Sequence, residues 1–437
     1  MSKKSKQSLL LLLVFVFVLT VANSCDPTIS VKLIPVLTTN ETTLITQNTA
    51  TSGGNISSDN GFEVTARGVC WSLKPSPTIK DSLTKDAVGI GAFTSSIKNL
   101  LADTTYYLKA YATNKNGTAY GLQKTFRTFP VLLPVITTIA VTNFTATTAI
   151  SGGNITSNGG SAIIDRGVCW STSPNPTITN NKTFDGSGTG VFSSNLTNLL
   201  DGIYYIRAYA SNKAGTTYGN QLTFEVYPVY DVDGNGYHTV TIGTQTWLVE
   251  NLKTTKYNDG TDIPIVADGK AWSNLTTPAY CFYNNDAVSY KSNYGALYNW
   301  YAVNTAKLAP KGWHIPTDDE WTTIVSFILA NPGTSGSTAK ALAATTDWAS
   351  SIRAEAIGND LTRNNSSGFS ALPGGYRSDY SYGSFGSFGT DGYWWSATGD
   401  SFGGQAKFRS LFYDISYMMW SDFDMQFGFS VRCLRDY

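Results

Sequence analysis

The stretch SGGNISSDNGFEVTARGVCWSLKPSPTI, which begins at Ser52, decides the organisation of the first half of the chain because it occurs twice. It returns from Ser151 as SGGNITSNGGSAIIDRGVCWSTSPNPTI. A second stretch, TTYYLKAYATNKNGTAYGLQKTF from Thr104, returns from Gly202 as GIYYIRAYASNKAGTTYGNQLTF. The period is about 100 residues, whereas solenoid repeats have periods of about 20–50 residues. The pattern therefore indicates a duplicated domain.

The second repeated stretch has the alternation of a β-strand with one buried face. Tyr106, Leu108 and Ala110 alternate with residues that suit a more exposed face, and the second copy keeps this order. Asn116-Gly117 follows where a hairpin has to turn, because glycine adopts positive φ at little cost. The spacing of Leu101 and Tyr106 resembles the tyrosine corner of Greek-key sandwiches.

These features make the two repeats similar to fibronectin type III or immunoglobulin-like domains. The resemblance covers residues 34–128 and 133–227. It implies two all-β Greek-key sandwiches, which we expect to act as spacers.

The first 25 residues, MSKKSKQSLLLLLVFVFVLTVANSC, predict export. Three lysines precede the apolar run Leu9–Val21, whose 13 residues would span about 20 Å as a helix, short of the roughly 30 Å of a bilayer core. We predict a signal peptide over 1–24. Cys25 follows small residues and resembles the lipidated cysteine of bacterial lipoproteins. This implies an anchor and linker over 25–33 and attachment to the outer membrane, facing the surface or the periplasm. Ordinary cleavage nearby is the alternative.

The composition excludes several classes of protein. Lys+Arg and Asp+Glu both number 31, and charged residues make up 14%, against about 25% in average domains. No basic run follows the N-terminus, so we expect no nucleic-acid partner. Aromatic residues make up 13%, which is unlike a disordered chain. Only His238 and His314 could support histidine-based catalysis or metal binding.

The last 209 residues contain a different set of motifs. They are YDVDGNGYHTVTIGTQTWLVENLKTTKYNDGT from Tyr230, YCFYNND from Tyr280, YGALYNWYAV from Tyr294, APKGWHIPTDDEWTTIVSFI from Ala309, GFSALPGGYR from Gly368, YWWSAT from Tyr393 and GFSVRCLRD from Gly428. Together they closely resemble the Fibrobacter succinogenes major paralogous (FISUMP) domain over residues 229–437. This family resembles the C-type-lectin-like superfold, which implies an irregular α+β fold.

One segment of this region predicts a helix with a defined start. Thr317 suits the N-cap, and Glu320, three residues later, suits its capping-box partner. Trp321, Ile324 and Ile328 then follow at helical spacing, so we expect an amphipathic helix with a buried apolar stripe.

The same superfold includes formylglycine-generating enzymes, but this sequence lacks their chemistry. That activity needs a close pair of cysteines, and Cys433 has no cysteine beside it. The Trp-Asn-Asp signature of calcium-dependent lectins is replaced by Trp-Ser-Ala at Trp395. A loop from Asp231 resembles the start of an EF-hand, but Ile242 occupies the position that requires Glu. We therefore predict no enzyme activity, no cofactor and no metal site.

Cys281 and Cys433 are the two cysteines of this C-terminal region. In an exported protein we predict a disulfide between them, which would stabilise the fold by about 4–5 kcal/mol in the chain-entropy model. Two buried thiols are the alternative.

Aromatic residues around two glycine-rich stretches form the candidate ligand surface, because aromatic rings stack on sugars. At the Trp394-Trp395 pair, strand alternation predicts one ring facing inward and one outward. The alternative is that these tryptophans belong to the core. The candidate residues are Tyr376, Arg377, Tyr380, Tyr393, Trp394 and Trp395.

The sequence thus predicts a non-enzymatic, lipid-anchored envelope protein. Its lectin-like module would bind a polysaccharide or an envelope or extracellular protein, with two sandwiches as spacers. The alternatives are a structural component of envelope assembly and, less favoured, a glycan-active enzyme whose site has no recognisable motif.

Overall fold

A computed structural model describes residues 32–331, 333–380, 382–400 and 403–437. The predicted signal peptide, Cys25 and most of the predicted linker lie outside the described residues. The chain divides into two compact units between Val131 and Leu132. Within the described ranges, none of the helices has the length and apolar character needed to cross a membrane.

The first unit is a β-sandwich. One sheet has the strand order β1-β2-β5; the other has the order β4-β3-β6-β7, with β8 also paired to β6. Val69, Ile97 and Leu108 are buried between the sheets, and the Leu101 N–H donates to the Tyr106 hydroxyl at 2.9 Å, as in a tyrosine corner. The strands are Val36–Thr39 (β1), Ala50–Ser58 (β2), Ala66–Ser72 (β3), Ser82–Leu83 (β4), Gly91–Ile97 (β5), Thr105–Asn114 (β6), Gly117–Tyr120 (β7) and Lys124–Arg127 (β8).

The second unit begins with a sandwich of the same topology. Its sheets have the orders β9-β10-β13 and β12-β11-β14-β15, with β16 paired to β14. The prediction of two all-β sandwiches is therefore confirmed. The strands are Val135–Thr142 (β9), Ala149–Ser157 (β10), Asp165–Ser171 (β11), Asn181–Lys182 (β12), Gly190–Leu196 (β13), Gly202–Asn212 (β14), Gly215–Tyr218 (β15) and Leu222–Val226 (β16).

The repeated Ser-Gly-Gly motif has a packing role in both sandwiches. A Cβ added at Gly53 would lie 2.0 Å from the Phe93 carbonyl oxygen of the paired strand, and one at Gly152 would lie 2.0 Å from that of Phe192. Only glycine allows this close approach of two backbones. The Ser-Gly-Gly motif is therefore present in both repeats because both contain the same close pairing of strands, β2 with β5 and β10 with β13.

The rest of the second unit is an irregular domain of short strands and helices. Its sheets are β17-β18, β19-β20-β29-β23, β21-β22, β24-β25 and β26-β27-β28. The strands are Val229–Tyr230 (β17), Gly236–Tyr237 (β18), Thr239–Ile242 (β19), Gln245–Leu248 (β20), Tyr280–Cys281 (β21), Leu297–Tyr298 (β22), Trp313–His314 (β23), Tyr376–Arg377 (β24), Phe385–Gly386 (β25), Asp391–Gly399 (β26), Gln405–Phe412 (β27), Met419–Asp424 (β28) and Leu434–Arg435 (β29).

The longest of its helices starts as the sequence predicts. Thr317 caps the helix Asp318–Ala330, and its N–H donates to the Glu320 carboxylate at 2.8 Å, which completes the capping box. Trp321 and Ile324 face the core. The α-helices are Gly269–Ser273 (α1), Ala287–Tyr294 (α2), Trp300–Val303 (α3), Asp318–Ala330 (α4) and Thr338–Leu342 (α5), and the 3₁₀ helices are Tyr283–Asn285 and Leu361–Arg363.

Both faces of the sheet β26-β27-β28 pack against hydrophobic clusters. On one face, Trp395 and Phe408 join Phe429. On the other face, Trp394 and Leu411 belong to the cluster that α4 covers. The C-terminal domain is therefore built around this sheet.

A buried arginine holds three loops of this domain together. Arg432 is almost fully buried, and its guanidinium donates to the carbonyl oxygens of Leu248 (3.0 Å), Phe369 (2.8 Å) and Ser370 (3.1 Å) and to the side-chain oxygen of Asn251 (2.7 Å). Burial lowers its pKa to about 9. Its partners are neutral oxygens, so the arginine satisfies the carbonyl at the end of β20 and two carbonyls of the loop at Phe369 and Ser370.

Two other buried cations have the same role. The Lys340 ammonium donates to the carbonyl oxygens of Ala356 (3.2 Å), Asp360 (3.0 Å) and Asn359, and burial lowers its pKa. Arg377 donates to the carbonyl oxygens of Gly383 (3.0 Å) and Ala267 (2.7 Å).

We expect Arg432→Met to destabilise the C-terminal domain strongly. Each buried carbonyl left without a donor costs about 1–3 kcal/mol, so the domain should lose about 3 kcal/mol or more. Its Tm in scanning calorimetry should fall by roughly 6–12 °C. The control is Arg435→Met, which changes an exposed arginine three residues away. Equal effects of the two substitutions would contradict the role of Arg432.

The predicted disulfide between Cys281 and Cys433 is wrong. Both are free thiols, each buried in a different hydrophobic cluster: Cys281 packs with Trp272 and Leu297, and Cys433 belongs to the cluster of Trp395. Burial raises the pKa of the Cys281 thiol to about 12 and that of Cys433 well above its usual range. Both residues behave as small apolar side chains.

Alkylation should distinguish free thiols from a disulfide. In denaturant without reductant, we expect iodoacetamide to modify Cys70, Cys169, Cys281 and Cys433, as detected by mass spectrometry, because all four are free. In the folded protein at neutral pH the same four should resist modification, since burial keeps them protonated and inaccessible. Protection of Cys281 and Cys433 in denaturant, lifted by reductant, would show that they are paired.

Candidate functional site

Most of the six predicted ligand residues lie inside the domain. Trp394 and Trp395 are fully buried; their indole N–H groups donate to the Asn251 side chain (2.9 Å) and the Tyr298 carbonyl (2.8 Å). Their side chains lie on opposite faces of the sheet, as strand alternation predicts. Both faces are covered by a hydrophobic cluster at this point. The expectation that one ring is exposed is therefore not met. Tyr393 is also buried.

Arg377 is a structural cation. Its guanidinium lies 4.5 Å from the Trp272 ring and donates to the carbonyl oxygens of Gly383 (3.0 Å) and Ala267 (2.7 Å). Tyr376 is half-buried, whereas Tyr380 is 62% exposed. Tyr380 is thus the one predicted ligand residue that is fully at the surface.

The structure shows a surface that sequence reasoning missed. Helix α4 covers only one end of a sheet face, where Arg409 on β27 forms an ion pair with Asp318. Beyond that point Gln405 and Trp420 on the same face of β27 and β28 are exposed, and Lys407, Asp422 and Asp424 are half-buried, with Lys407 still 4.0 Å from Asp318. They are paired across the strands as Lys407 with Asp422 and Gln405 with Asp424, next to Trp420. We call the following residues the open sheet face: Tyr380, Gln405, Lys407, Trp420, Asp422 and Asp424.

Trp420 is the main aromatic group of the open sheet face. Its side chain is 61% exposed, whereas the other eight tryptophans of the domain are buried or half-buried. The Lys407 ammonium lies 5.2 Å from the ring centroid. The sequence signal for this exposed tryptophan is the alternation in WSDFD from Trp420. It places Phe423 on the core face of the strand and Trp420 on the opposite face.

Hydrogen bonds fix the polar groups beside Trp420. The Tyr380 hydroxyl donates to Asp424 Oδ2 at 2.9 Å, and the Gln405 amide donates to Asp424 Oδ1 at 3.1 Å. The ring of Tyr380 also packs edge-on against Phe427, with centroids 5.9 Å apart. Tyr380 is therefore held in place at the edge of the open sheet face.

A carboxyl pair lies under Tyr380. Burial, and then the hydrogen bond and charge of Asp424, raise the pKa of Asp379 to about 6. The pKa of Asp424 is lowered, chiefly by the hydrogen bond from Gln405. One oxygen each of Asp379 and Asp422 is buried without a hydrogen-bond partner among the described residues. Two buried acceptors without a protein donor therefore lie beside the open sheet face.

The EF-hand-like loop uses its carboxylates internally. Asp231 accepts hydrogen bonds from the backbone N–H groups of Asp233 and Asn235, from the Asn235 amide and from the Tyr237 hydroxyl. Asp233 accepts from the backbone and side chain of Thr255. In the described ranges, no group of three or more Asp, Glu, His or Cys residues is arranged to hold a metal ion.

Asp379 should make the stability of the C-terminal domain depend on pH. Its pKa is higher in the folded state than the unfolded value of 3.8, so stability falls as pH rises from about 4 through about 6. We expect Asp379→Asn to remove this dependence, raising the domain Tm relative to wild type more at about pH 7.5 than at about pH 4, which lie above and at the lower end of this titration. An identical Tm difference at both pH values would contradict the assignment.

No curated protein matches the chain. Among solved structures, a two-domain fibronectin type III segment of chicken tenascin covers 44% of this chain and 97% of its own, at 12% identity and a TM-score of 0.23. Chicken CNTN1 domains FN1–FN3 cover 44% and 65%, at 14% identity and a TM-score of 0.20. The anti-sigma factor RsgI4 sensor domain of Pseudobacteroides cellulosolvens covers 23% and 99%, at 18% identity and a TM-score of 0.19. Residues 240–435 match the family model of the Fibrobacter succinogenes major domain, which accounts for most of the irregular C-terminal domain.

Proposed function

We propose that this chain is a non-enzymatic, lipid-anchored protein of the bacterial cell envelope that binds polysaccharide at the open sheet face. The observation that carries the proposal is the exposed ring of Trp420 among fixed polar groups of Asp424, Gln405 and Lys407. The two sandwiches act as spacers.

The chemistry of the open sheet face suits a sugar polymer. An aromatic ring stacks on the C–H face of a pyranose, while carboxylate and amide oxygens accept hydrogen bonds from its hydroxyl groups. Tyr380 adds a second exposed ring, held by Asp424. Flat, open surfaces of this kind bind an extended chain, whereas small molecules are usually enclosed in a cleft.

The carboxyl pair beside this face argues against a glycosidase. The two catalytic carboxyl groups of such enzymes are about 5–9.5 Å apart, because a sugar or a water has to fit between them. Asp424 acts directly on the pKa of Asp379, and both oxygens of Asp424 already accept hydrogen bonds, from Tyr380 and Gln405. This geometry favours binding over hydrolysis.

The N-terminal sequence and the helix α4 segment support the remaining parts of the proposal. The basic and apolar residues before Cys25 support export and lipid attachment at the outer membrane. The capped helix that follows GWHIPT supports a C-type-lectin-like fold for the C-terminal domain.

We expect Trp420→Ala to weaken polysaccharide binding about tenfold, because loss of one stacking contact costs on the order of 1.4 kcal/mol. The measurement is depletion of the full chain from solution by insoluble cellulose, chitin and xylan, each with and without Ca²⁺. A matched control is Tyr417→Ala, which removes another exposed aromatic residue of the same domain outside the open sheet face.

Two results would contradict the proposal. Retention that Trp420→Ala and Tyr417→Ala reduce equally would place the binding site elsewhere. No retention on any of the three polymers would remove these polysaccharides as ligands and leave a protein partner or a structural role in envelope assembly.

A further inference from the structure

The edges of the two sandwiches are not equally protected. An edge strand turns alternate backbone N–H and C=O groups away from its sheet, and these groups can pair with a strand of another chain. Proteins block such pairing with short strands, bulges, prolines or charged side chains. Among the described strands, one edge of each sandwich lacks all four of these features: β5 in the first sandwich and β13 in the second.

The other edges of the sandwiches carry such protection. In the sheets that contain β5 and β13, the opposite edges β1 and β9 both have a shifted register against their neighbours. In the second sheet of each sandwich, β4 and β12 have only two residues, and β7 and β15 have four. Strand β8 has Lys124 and Arg127, and β16 has Glu225. These edges therefore do not offer a long, neutral row of backbone groups.

Strands β5 and β13 are long, regular and uncharged. Each has seven residues, GAFTSSI in β5 and GVFSSNL in β13, and each pairs with its neighbour in unbroken register over its whole length. Within the part of the chain that the structure describes, residues 91–97 and 190–196 make no backbone hydrogen bond beyond this pairing. The outer edge of both strands is thus free to pair.

Of the two strands, β13 is the better edge for pairing. Lys98 directly follows β5, whereas the uncharged Thr197 follows β13. Charged residues that flank a neutral strand hinder its pairing with other chains. Val191 on β13 has a high β propensity and is 70% exposed, and Ala92 occupies the equivalent position on β5. We therefore place the contact at β13.

Packing holds β13 in a form that is ready to pair. Phe192 is buried in the sandwich core, and the Ser194 hydroxyl donates to the Asp185 carboxylate. Because the strand is already fixed in an extended form, little conformational entropy is lost when it takes up a partner. The alternate side chains of the strand are exposed, and these are Val191, Ser193 and Asn195.

We propose that two copies of this chain associate by antiparallel pairing of their β13 strands. This pairing joins two three-stranded sheets, each of the order β9-β10-β13, into one continuous sheet. A neutral edge does not select a charged partner, and it meets no charge repulsion from itself. When the two strands overlap fully, Ser193 lies opposite Ser193 on the two-fold axis, and Val191 lies opposite Asn195. Such a two-fold contact is closed, so this edge forms a dimer. The inference does not depend on which ligand the protein binds.

Charge substitutions on the axis test the pairing. In sedimentation velocity of the full chain over a range of concentrations, we expect a monomer–dimer equilibrium. Ser193→Lys should weaken dimerisation roughly fivefold or more, because it places two like charges directly opposite each other. Ser193→Asp should do the same. An equimolar mixture of the two variants should regain the dimer, since opposite charges then face each other, and this recovery also shows that both variants are folded.

Two matched variants locate the contact. Thr137→Lys adds the same charge at an exposed position of β9, the other edge of the same sheet. Thr94→Lys adds it at the exposed middle of β5, the position equivalent to Ser193. Both variants should dimerise like wild type.

A cysteine on the axis gives a second readout. Directly opposed Cβ atoms of an antiparallel pair are about 4.5–5.5 Å apart, which is close to the spacing of a disulfide. Ser193→Cys should therefore form a covalent dimer under mild oxidation, seen on a non-reducing gel, whereas Thr137→Cys should stay monomeric on the same gel. The native thiols Cys70, Cys169, Cys281 and Cys433 are buried and should not react.

The pairing is refuted if the full chain stays monomeric at the highest concentration that remains soluble. It is also refuted if Ser193→Lys dimerises like wild type, or if Thr137→Lys weakens the dimer to the same extent. A dimer that only Thr94→Lys weakens would place the contact at β5 and overturn the assignment to β13.

Discussion

The C-terminal domain depends on buried cations that satisfy backbone carbonyls. Its strands are short and its loops long, so many carbonyl oxygens inside it have no partner in a sheet or helix. Arg432, Arg377 and Lys340 each donate to several of these oxygens at once. A cation without a carboxylate partner is costly to bury, and here the cost is offset by three or four hydrogen bonds per side chain. One side chain can thus fix segments that are far apart in sequence.

This constraint also positions the candidate site. Arg377 donates to the Gly383 carbonyl and to the Val266–Ala267 segment, and so holds both ends of the loop that carries Asp379 and Tyr380. Tyr380 then reaches Asp424 at the edge of the open sheet face. The arginine that the sequence suggested as a ligand contact acts instead through the loop that it anchors. The proposed binding surface and the stability of the domain therefore both depend on Arg377.

Local patterns in the sequence predicted local structure well. The alternation around Leu108 gave a buried strand, and Thr317 and Glu320 gave the helix start. The same patterns could not predict exposure, because alternation assigns Trp394 and Trp395 to opposite faces without saying what covers each face. Nor could they predict that Cys281 and Cys433 lie in separate clusters, since that depends on the packing of distant segments. The same holds for Trp420. Alternation in β28 predicts which face of the sheet it lies on, but its exposure follows from the fact that α4 covers only part of that face.

The open sheet face offers only a small contact to a polymer, and this bears on the proposed role in adhesion. A single exposed tryptophan supplies only about 0.5–1.5 kcal/mol beyond the buried area, which gives weak binding for one molecule. Many copies on a surface convert weak contacts into firm attachment if their binding faces can engage the same polymer together. Several molecules bind one polymer more easily when the binding face of each has a fixed orientation, because less conformational entropy is lost on binding. The two residues between β16 and β17 limit the freedom of the C-terminal domain on the second sandwich, so this short connection and the proposed weak site together would suit multivalent attachment.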